Sequence, residues 1–167
     1  MHAAYPLPVH SGPLSTLADV RLHVTAATGE ARRTLAIYTQ DLEPLLYDHD
    51  PFLEAIKRLV LARSHARVRV LIADPMRAIR DGNRFVSMAR RLTSYIDLRN
   101  VPKELRNNPA AFLVADNNTS VYRPDATQWE GVAAIGDLAS AARHLAYFDG
   151  IWRAADSDLQ YQAGLRG

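Results

Sequence analysis

Apolar residues recur along this chain with two periods, and the switches between them mark out its elements. Leu17, Val20, Val24, Ala27 and Ala31 fall three and four residues apart, the spacing of one helical face. Ser15 stands ahead of them as a cap and Gly29 weakens the far end, so the pattern predicts a helix from Ser15 to Thr28 or slightly beyond. Thr34 to Gln40, with Leu35, Ile37 and Tyr38, reads as a strand. Two acids follow in Asp41-Leu-Glu43, then an apolar turn at Leu45, Leu46 and Tyr47. Asp50-Pro51 signals a helix start, with Asp50 as N-cap and Pro51 in the first helical position. Phe52, Ala55, Ile56, Leu59 and Val60 carry its apolar face. Val68 to Ala73 is an almost continuous apolar run, as expected of a central parallel strand covered on both faces. Arg33 to Asp74 thus reads as one strand–helix–strand crossover.

Past Asp74-Pro75, a helical pattern breaks at Gly82-Asn83 and resumes at Phe85, Met88, Ala89 and Leu92. Tyr95–Arg99 is the third strand and Pro102–Pro109 a polar connection. Ala111–Ala115 is the fourth strand, Asp116-Asn-Asn118 a hairpin turn, and Ser120–Arg123 the return strand. Glu130–Ile135 offers one more strand. Asp137 caps a long helix through Leu138, Ala141, Ala142, Leu145, Phe148, Ile151 and Trp152. Strands separated by helices predict an α/β fold: a mixed, mostly parallel sheet flanked by helices. Residues 1–13, with Pro6, Pro8, Gly12 and Pro13, read as an arm. Residues 14–156 form a single domain, and 157–167 a polar tail.

Composition changes this picture little. The length of 167 residues suits one domain with a sizeable core. No apolar run approaches the roughly 20 residues needed to span a bilayer, so no membrane partner is expected. No secretory signal is visible at Met1-His-Ala-Ala4. The absence of cysteine excludes disulfides, thiolate metal sites and a cysteine nucleophile, and fits a cytoplasmic protein. The net charge of +2 implies no whole-molecule attraction for nucleic acid. The kind of base is more informative. Apart from Lys57 and Lys103, every basic residue is arginine. A GC-rich genome accounts for that simply; bidentate recognition of phosphate or carboxylate is the functional account. Arg63, Arg67, Arg69, Arg77, Arg80, Arg84, Arg90 and Arg91 give a basic surface that could track phosphates. With few aromatic residues among them, a solvated face is the simpler reading and nucleic acid is not the favoured partner.

No glycine-rich phosphate loop and no G-x-S-x-G context occurs, so no cofactor is implied. Asp48-His49-Asp50 reads as capping and solvent-facing acids rather than a metal site. Tyr38, Asp41, Asp74, Arg99 and Asp116 stand at or just past the C-terminal ends of predicted strands, where open α/β sheets hold their ligand crevice. With Arg123 they form the candidate ligand-binding set, suited to a small anion. The competing reading is a salt-bridge network that closes the top of the sheet.

Pro109-Ala-Ala111-Phe-Leu-Val-Ala-Asp116 resembles the phospholipase D superfamily signature His-x-Lys-x-x-x-x-Asp with two members replaced. Pro109 stands in the histidine's place, Ala111 in the lysine's, and Asp116 matches the aspartate. The terminal helix, with Ala146-Tyr-Phe-Asp-Gly-Ile-Trp152, fits the same order of elements. The chain is more closely similar to a catalytically degenerate, uncharacterised phospholipase-D-like domain of bacteria, often found C-terminal to GNAT-type acetyltransferases. Leu35-Ala-Ile-Tyr-Thr-Gln-Asp-Leu-Glu-Pro-Leu-Leu-Tyr-Asp48, Ala66-Arg-Val-Arg-Val-Leu-Ile-Ala-Asp-Pro75 and Tyr122-Arg-Pro124 carry that likeness. In active members the histidine attacks phosphorus and the lysine holds phosphate oxygens; proline and alanine can do neither. The glycine-serine-asparagine stretch usual after the motif is also missing. The resemblance therefore implies a non-catalytic binding or regulatory module, a homodimer, and an acetyltransferase-associated partner through the family's domain company. Two alternatives stand beside it. One is an enzyme of another class using the former crevice on a small anionic substrate. The other is a nucleic-acid-binding accessory domain.

Overall fold

The structure is a computed structural model that describes residues 9–155. Residues 1–8 of the expected arm and the tail from 156 lie outside the described residues. Seven strands form one mixed sheet in the order β1-β7-β6-β5-β2-β3-β4. They are β1 (Gly12–Leu14), β2 (Thr34–Thr39), β3 (Arg67–Ile72), β4 (Ile96–Asn100), β5 (Ala111–Ala115), β6 (Thr119–Arg123) and β7 (Gly131–Ile135). The helices are α1 (Leu17–Glu30), α2 (Pro44–Tyr47), α3 (Asp50–Ala62), α4 (Met76–Arg80), α5 (Arg84–Arg91) and α6 (Leu138–Ala155).

The crossover expected between Arg33 and Asp74 is present: β2 and β3 pair in parallel, Thr34 opposite Arg67 through Thr39 opposite Ile72. β4 extends the parallel half, with Val68 opposite Ile96. The remaining pairings, β2 with β5, β5 with β6, β6 with β7 and β7 with β1, are all antiparallel. The sheet is therefore mixed but not mostly parallel, and the reason lies in one connection. A parallel return needs a crossover of a dozen or more residues, usually a helix. The link from β4 to β5 (101–110) holds only a short 3-10 turn at Lys103–Leu105. It crosses the sheet along one edge, so β5 enters beside β2 running the opposite way. The end of the expected arm, Gly12-Pro13, lies on the molecule as part of the edge strand β1.

Strand alternation sorts the core into two layers. Leu35, Ile37, Val68, Val70, Ile72, Leu113 and Val121 face α1, α3 and α5, with Val24, Phe52, Ile56 and Phe85 among the helical residues they meet. Ala36, Tyr38, Leu71, Phe112 and Val114 face α6, which supplies Phe148 and Ile151. The caps shift slightly from expectation. Thr16, not Ser15, accepts the Asp19 N–H (3.1 Å) at the start of α1. His49 precedes α3, with Asp50 and Pro51 inside its first turn. The Asp137 carboxylate accepts from the Ser140 N–H (3.0 Å) at the start of α6, which holds its pKa below the usual carboxylate value. No helix among the described residues is long and apolar enough to cross a membrane.

Candidate functional site

The reversed direction of β5 decides where its ends lie. Ala115 sits opposite Leu35 and Phe112 opposite Tyr38. Asp116 therefore belongs to the edge where β2, β3 and β4 begin, not to the edge where they end, as expected from a parallel β5. Ala111 and, across the β5–β6 ladder, Arg123 lie at the C-terminal edge. So does Pro109.

That C-terminal edge is filled. Ala111 and Arg123 are both buried, at 3% and 2% exposure. The Arg123 guanidinium donates to a Glu43 Oε1 at 2.5 Å, and to the carbonyls of Ala126 (3.1 Å) and Gln128 (2.9 Å). Its face lies 4.7 Å from the centre of the Trp129 ring. The space left between Ala111, Tyr47 and Arg123 is about 10 Å³, about enough for one water. Burial raises the Glu43 carboxyl's pKa, and Arg123 opposes that shift without offsetting it. Gln40 closes the neighbouring gap by donating to the carbonyls of Asn108 (2.9 Å) and Ala110 (2.7 Å). Leu42, beside them, adopts φ +57 with its side chain buried. A left-handed leucine is uncommon. Here Thr39 accepts its N–H (3.0 Å) and Asn83 donates to its carbonyl (3.2 Å).

The other members of the expected set are dispersed. Asp41 pairs with Arg77 at 2.8 Å. Asp74 accepts the Met76 N–H at 3.1 Å and starts α4. Tyr38 is fully buried under α6, stacked on Phe112 with ring centres 5.2 Å apart and edge-on to Tyr147. Burial first, and Tyr147 second, push its hydroxyl above the usual tyrosine pKa. Arg99 also lies on the α6 face, 4.0 Å over the Trp152 ring, and donates to Asp97 at 3.0 Å and to the Trp152 carbonyl at 3.3 Å. The structure thus brings Asp41, Asp74 and Arg123 to one edge, Asp116 to the opposite edge, and Tyr38 and Arg99 to the α6 side. The six do not share a cavity.

At the N-terminal edge Asp116 adopts φ +54 and points its carboxylate back at the start of β2. It accepts the N–H groups of Arg32 (2.8 Å), Arg33 (2.7 Å) and Thr34 (3.1 Å). It also lines a cleft of about 470 Å³ between α1 and the β5–β7 strands. The aspartate of the degenerate motif is thus a clasp on the loop that enters β2. Asp48 and Asp50, read as capping and solvent-facing acids, both bind Arg84, at 2.6 and 2.8 Å. His49 between them has its pKa lowered by burial and then by Arg21. No three His, Asp or Glu side chains among the described residues come together as a metal-ligand set.

Glu43 and Trp129 complete the sealed edge with Gln40 and were not singled out for it by sequence reasoning. The acid pair Asp41-Leu-Glu43 was visible. Its partner lies 80 residues away in β6, a separation that no local pattern bridges.

No curated protein matches the sequence. Among solved structures, TrmBL2, described as an archaeal chromatin protein with a novel mode of DNA binding, superposes with a TM-score of 0.64 at 13% identity. That match covers 93% of this chain and 54% of TrmBL2, so this chain spans about half of that protein's length. NucT from Helicobacter pylori, a nuclease of the phospholipase D superfamily, superposes with a TM-score of 0.55 at 12% identity, over 86% of this chain and 96% of NucT. At these identities the likeness is one of fold. The sequence profile of one family matches residues 16–163, nearly the whole of what has been described above, and the chain belongs to that family, a domain of unknown function, DUF7931.

Proposed function

We propose that this protein is a non-catalytic phospholipase-D-like module that acts by binding or regulation. One observation carries the reading. Where the superfamily signature asks for a phosphate-holding lysine, buried Ala111 sits across the ladder from Arg123, whose guanidinium is occupied by Glu43, two carbonyls and Trp129. A guanidinium so engaged has no face left for a substrate phosphate, and the space beside it holds about one water. Pro109 supplies no nucleophile. The fold likeness to NucT supports the lineage, and the filled edge supports the loss of its chemistry.

The test is a phosphodiesterase and nuclease assay on the purified chain, run beside Asp116→Asn and Arg123→Met. No turnover above buffer is expected for any of the three. Turnover by the native chain that Asp116→Asn abolishes would overturn the proposal. The reading as an enzyme of another class finds less support, because Tyr38, Arg99 and Asp116 each lie away from Asp41, Asp74 and Arg123.

A further inference from the structure

The edge of the sheet opposite the sealed crevice has a different character. β2, β3 and β4 all begin there, and α1, α3 and α5 all end there. The segments that meet at this edge carry Arg32, Arg33, Arg63, Arg67, Arg90 and Arg91, all exposed. None of the six has a carboxylate within 4.0 Å among the described residues. Arg77, Arg80, Arg84 and Arg123, at the other edge, do. The same edge carries three acids, Glu30, Asp116 and Asp137, whose N–H donates to the Asn118 carbonyl (2.8 Å). Both carboxylate oxygens of Asp116 already accept backbone N–H groups.

Helix dipoles do not absorb this charge. A helix C-terminus carries roughly half a negative charge, so three of them offset about one and a half of the positive charges. Six arginines against three carboxylates still leave a surplus beyond that. Nor is the loop that bears the charge free to collapse away. The Asp116 clasp fixes the backbone of Arg32 and Arg33, which reduces the ordering cost of binding a partner there.

We propose that this N-terminal edge binds the phosphate backbone of a nucleic-acid duplex. Planar guanidinium forks match phosphate oxygens two at a time, and every basic side chain named here is arginine. Arg33 and Arg67 open neighbouring parallel strands, about 4.8 Å apart, and Arg63, Arg90 and Arg91 stand at the ends of the helices α3 and α5. Single strands are a poorer match, because they are held by stacking on aromatic faces. Tyr95, the aromatic residue at this edge, packs against the core with Arg67 6.0 Å over its ring. An anionic bilayer is a poorer match too, because Leu61 is the one large apolar side chain these segments expose. The proposal does not rest on the closed crevice: an active crevice would leave it standing, and a failure here would leave the non-catalytic reading untouched.

The test is fluorescence anisotropy with a random-sequence DNA duplex, repeated with vesicles of anionic phospholipid. Four phosphate contacts predict that affinity falls about a hundredfold between about 50 and 200 mM salt. Arg32→Ala/Arg63→Ala/Arg91→Ala is expected to weaken binding at least tenfold and to flatten the log–log salt slope by about one per arginine removed. Arg77→Ala/Arg80→Ala, at the paired edge, is expected to leave it unchanged. Circular dichroism confirms that both variants are folded. Absence of duplex binding at low salt overturns the proposal. So does binding that the triple variant retains in full, or capture by vesicles without capture by duplex.

Discussion

At the C-terminal edge of the parallel strands, Arg77, Arg80, Arg84 and Arg123 each lie within 4.0 Å of a carboxylate. At the N-terminal edge, Arg32, Arg33, Arg63, Arg67, Arg90 and Arg91 meet none among the described residues. The same residue type serves two ends of one sheet in opposite ways. At the first edge arginine is an internal part: Arg123 is buried and fills a crevice with its own ion pair. At the second it faces water, and the Asp116 carboxylate holds backbone instead of neutralising side chains. Charge that is satisfied inside a fold contributes to that fold; charge left unsatisfied at a surface is available to a partner.

The sharpest way to break this contrast is at the buried pair. Glu43→Ala leaves Arg123 charged and almost fully buried without its carboxylate. It should cost about 3–5 kcal/mol of unfolding free energy in a urea titration. Replacing both partners by methionine should cost much less, because neither charge then remains buried. If the single and double variants were equally destabilised, the pair would not be what seals the edge.

Asp116→Ala removes the acceptor of three N–H groups and should cost about 2 kcal/mol. Hydrogen exchange should quicken at Arg32, Arg33 and Thr34 and stay unchanged at Gln40. Unchanged exchange at the loop would mean that the clasp is not what orders it.

Two titrations give smaller effects of known sign. The folded-state pKa of Glu43 lies above its unfolded value, chiefly through burial. Its contribution to stability is therefore fully present below the unfolded pKa and is lost as pH rises through the folded one. Relative to Glu43→Gln, the native chain should lose stability as pH rises above the ordinary glutamate pKa of about 4.3 and through the raised folded value. His144 is stacked on Tyr122 with ring centres 4.6 Å apart, and burial, then Arg143, lower its pKa. Its contribution is present above the unfolded pKa and is lost as pH falls through the folded one. His144→Phe should flatten that acid-side loss, read as thermal midpoints across the histidine range.

The smallest expected change is the most telling for the comparison. Arg32→Ala/Arg63→Ala/Arg91→Ala should leave the unfolding midpoint almost where it was, because those side chains meet no carboxylate in the fold. A large loss of stability would mean that this edge, too, is built on its arginines.

Much of this architecture was legible beforehand because it rests on local physics. The period-2 and period-3.6 patterns located β2, α3, β3 and α6 closely. The cap at Asp137 stands where it was expected, and that at Asp50 is off by one residue. Misreading the direction of β5 also misplaced Asp116. Ala111–Ala115 is equally apolar whichever way it runs, and nothing within five residues says which neighbour it will join. Trp129 offers a second case. In a polar loop it reads as an exposed side chain; only the return of β6 brings Arg123 over its face.

The sequence by itself determined the elements, the α/β class, a proline at position 109 and an alanine at 111, and the arginine-rich chemistry of the surface. Each follows from residue identity or from spacing along the chain. The tertiary structure alone decided which arginines are neutralised. A carboxylate 80 residues from Arg123 and another 36 residues from Arg77 reach them only once the sheet order is set. Among the described residues no equivalent partner reaches the arginines at the opposite edge. Whether a charge is internal or outward-facing is a property of distance in space, and distance in space is fixed by pairing across the sheet.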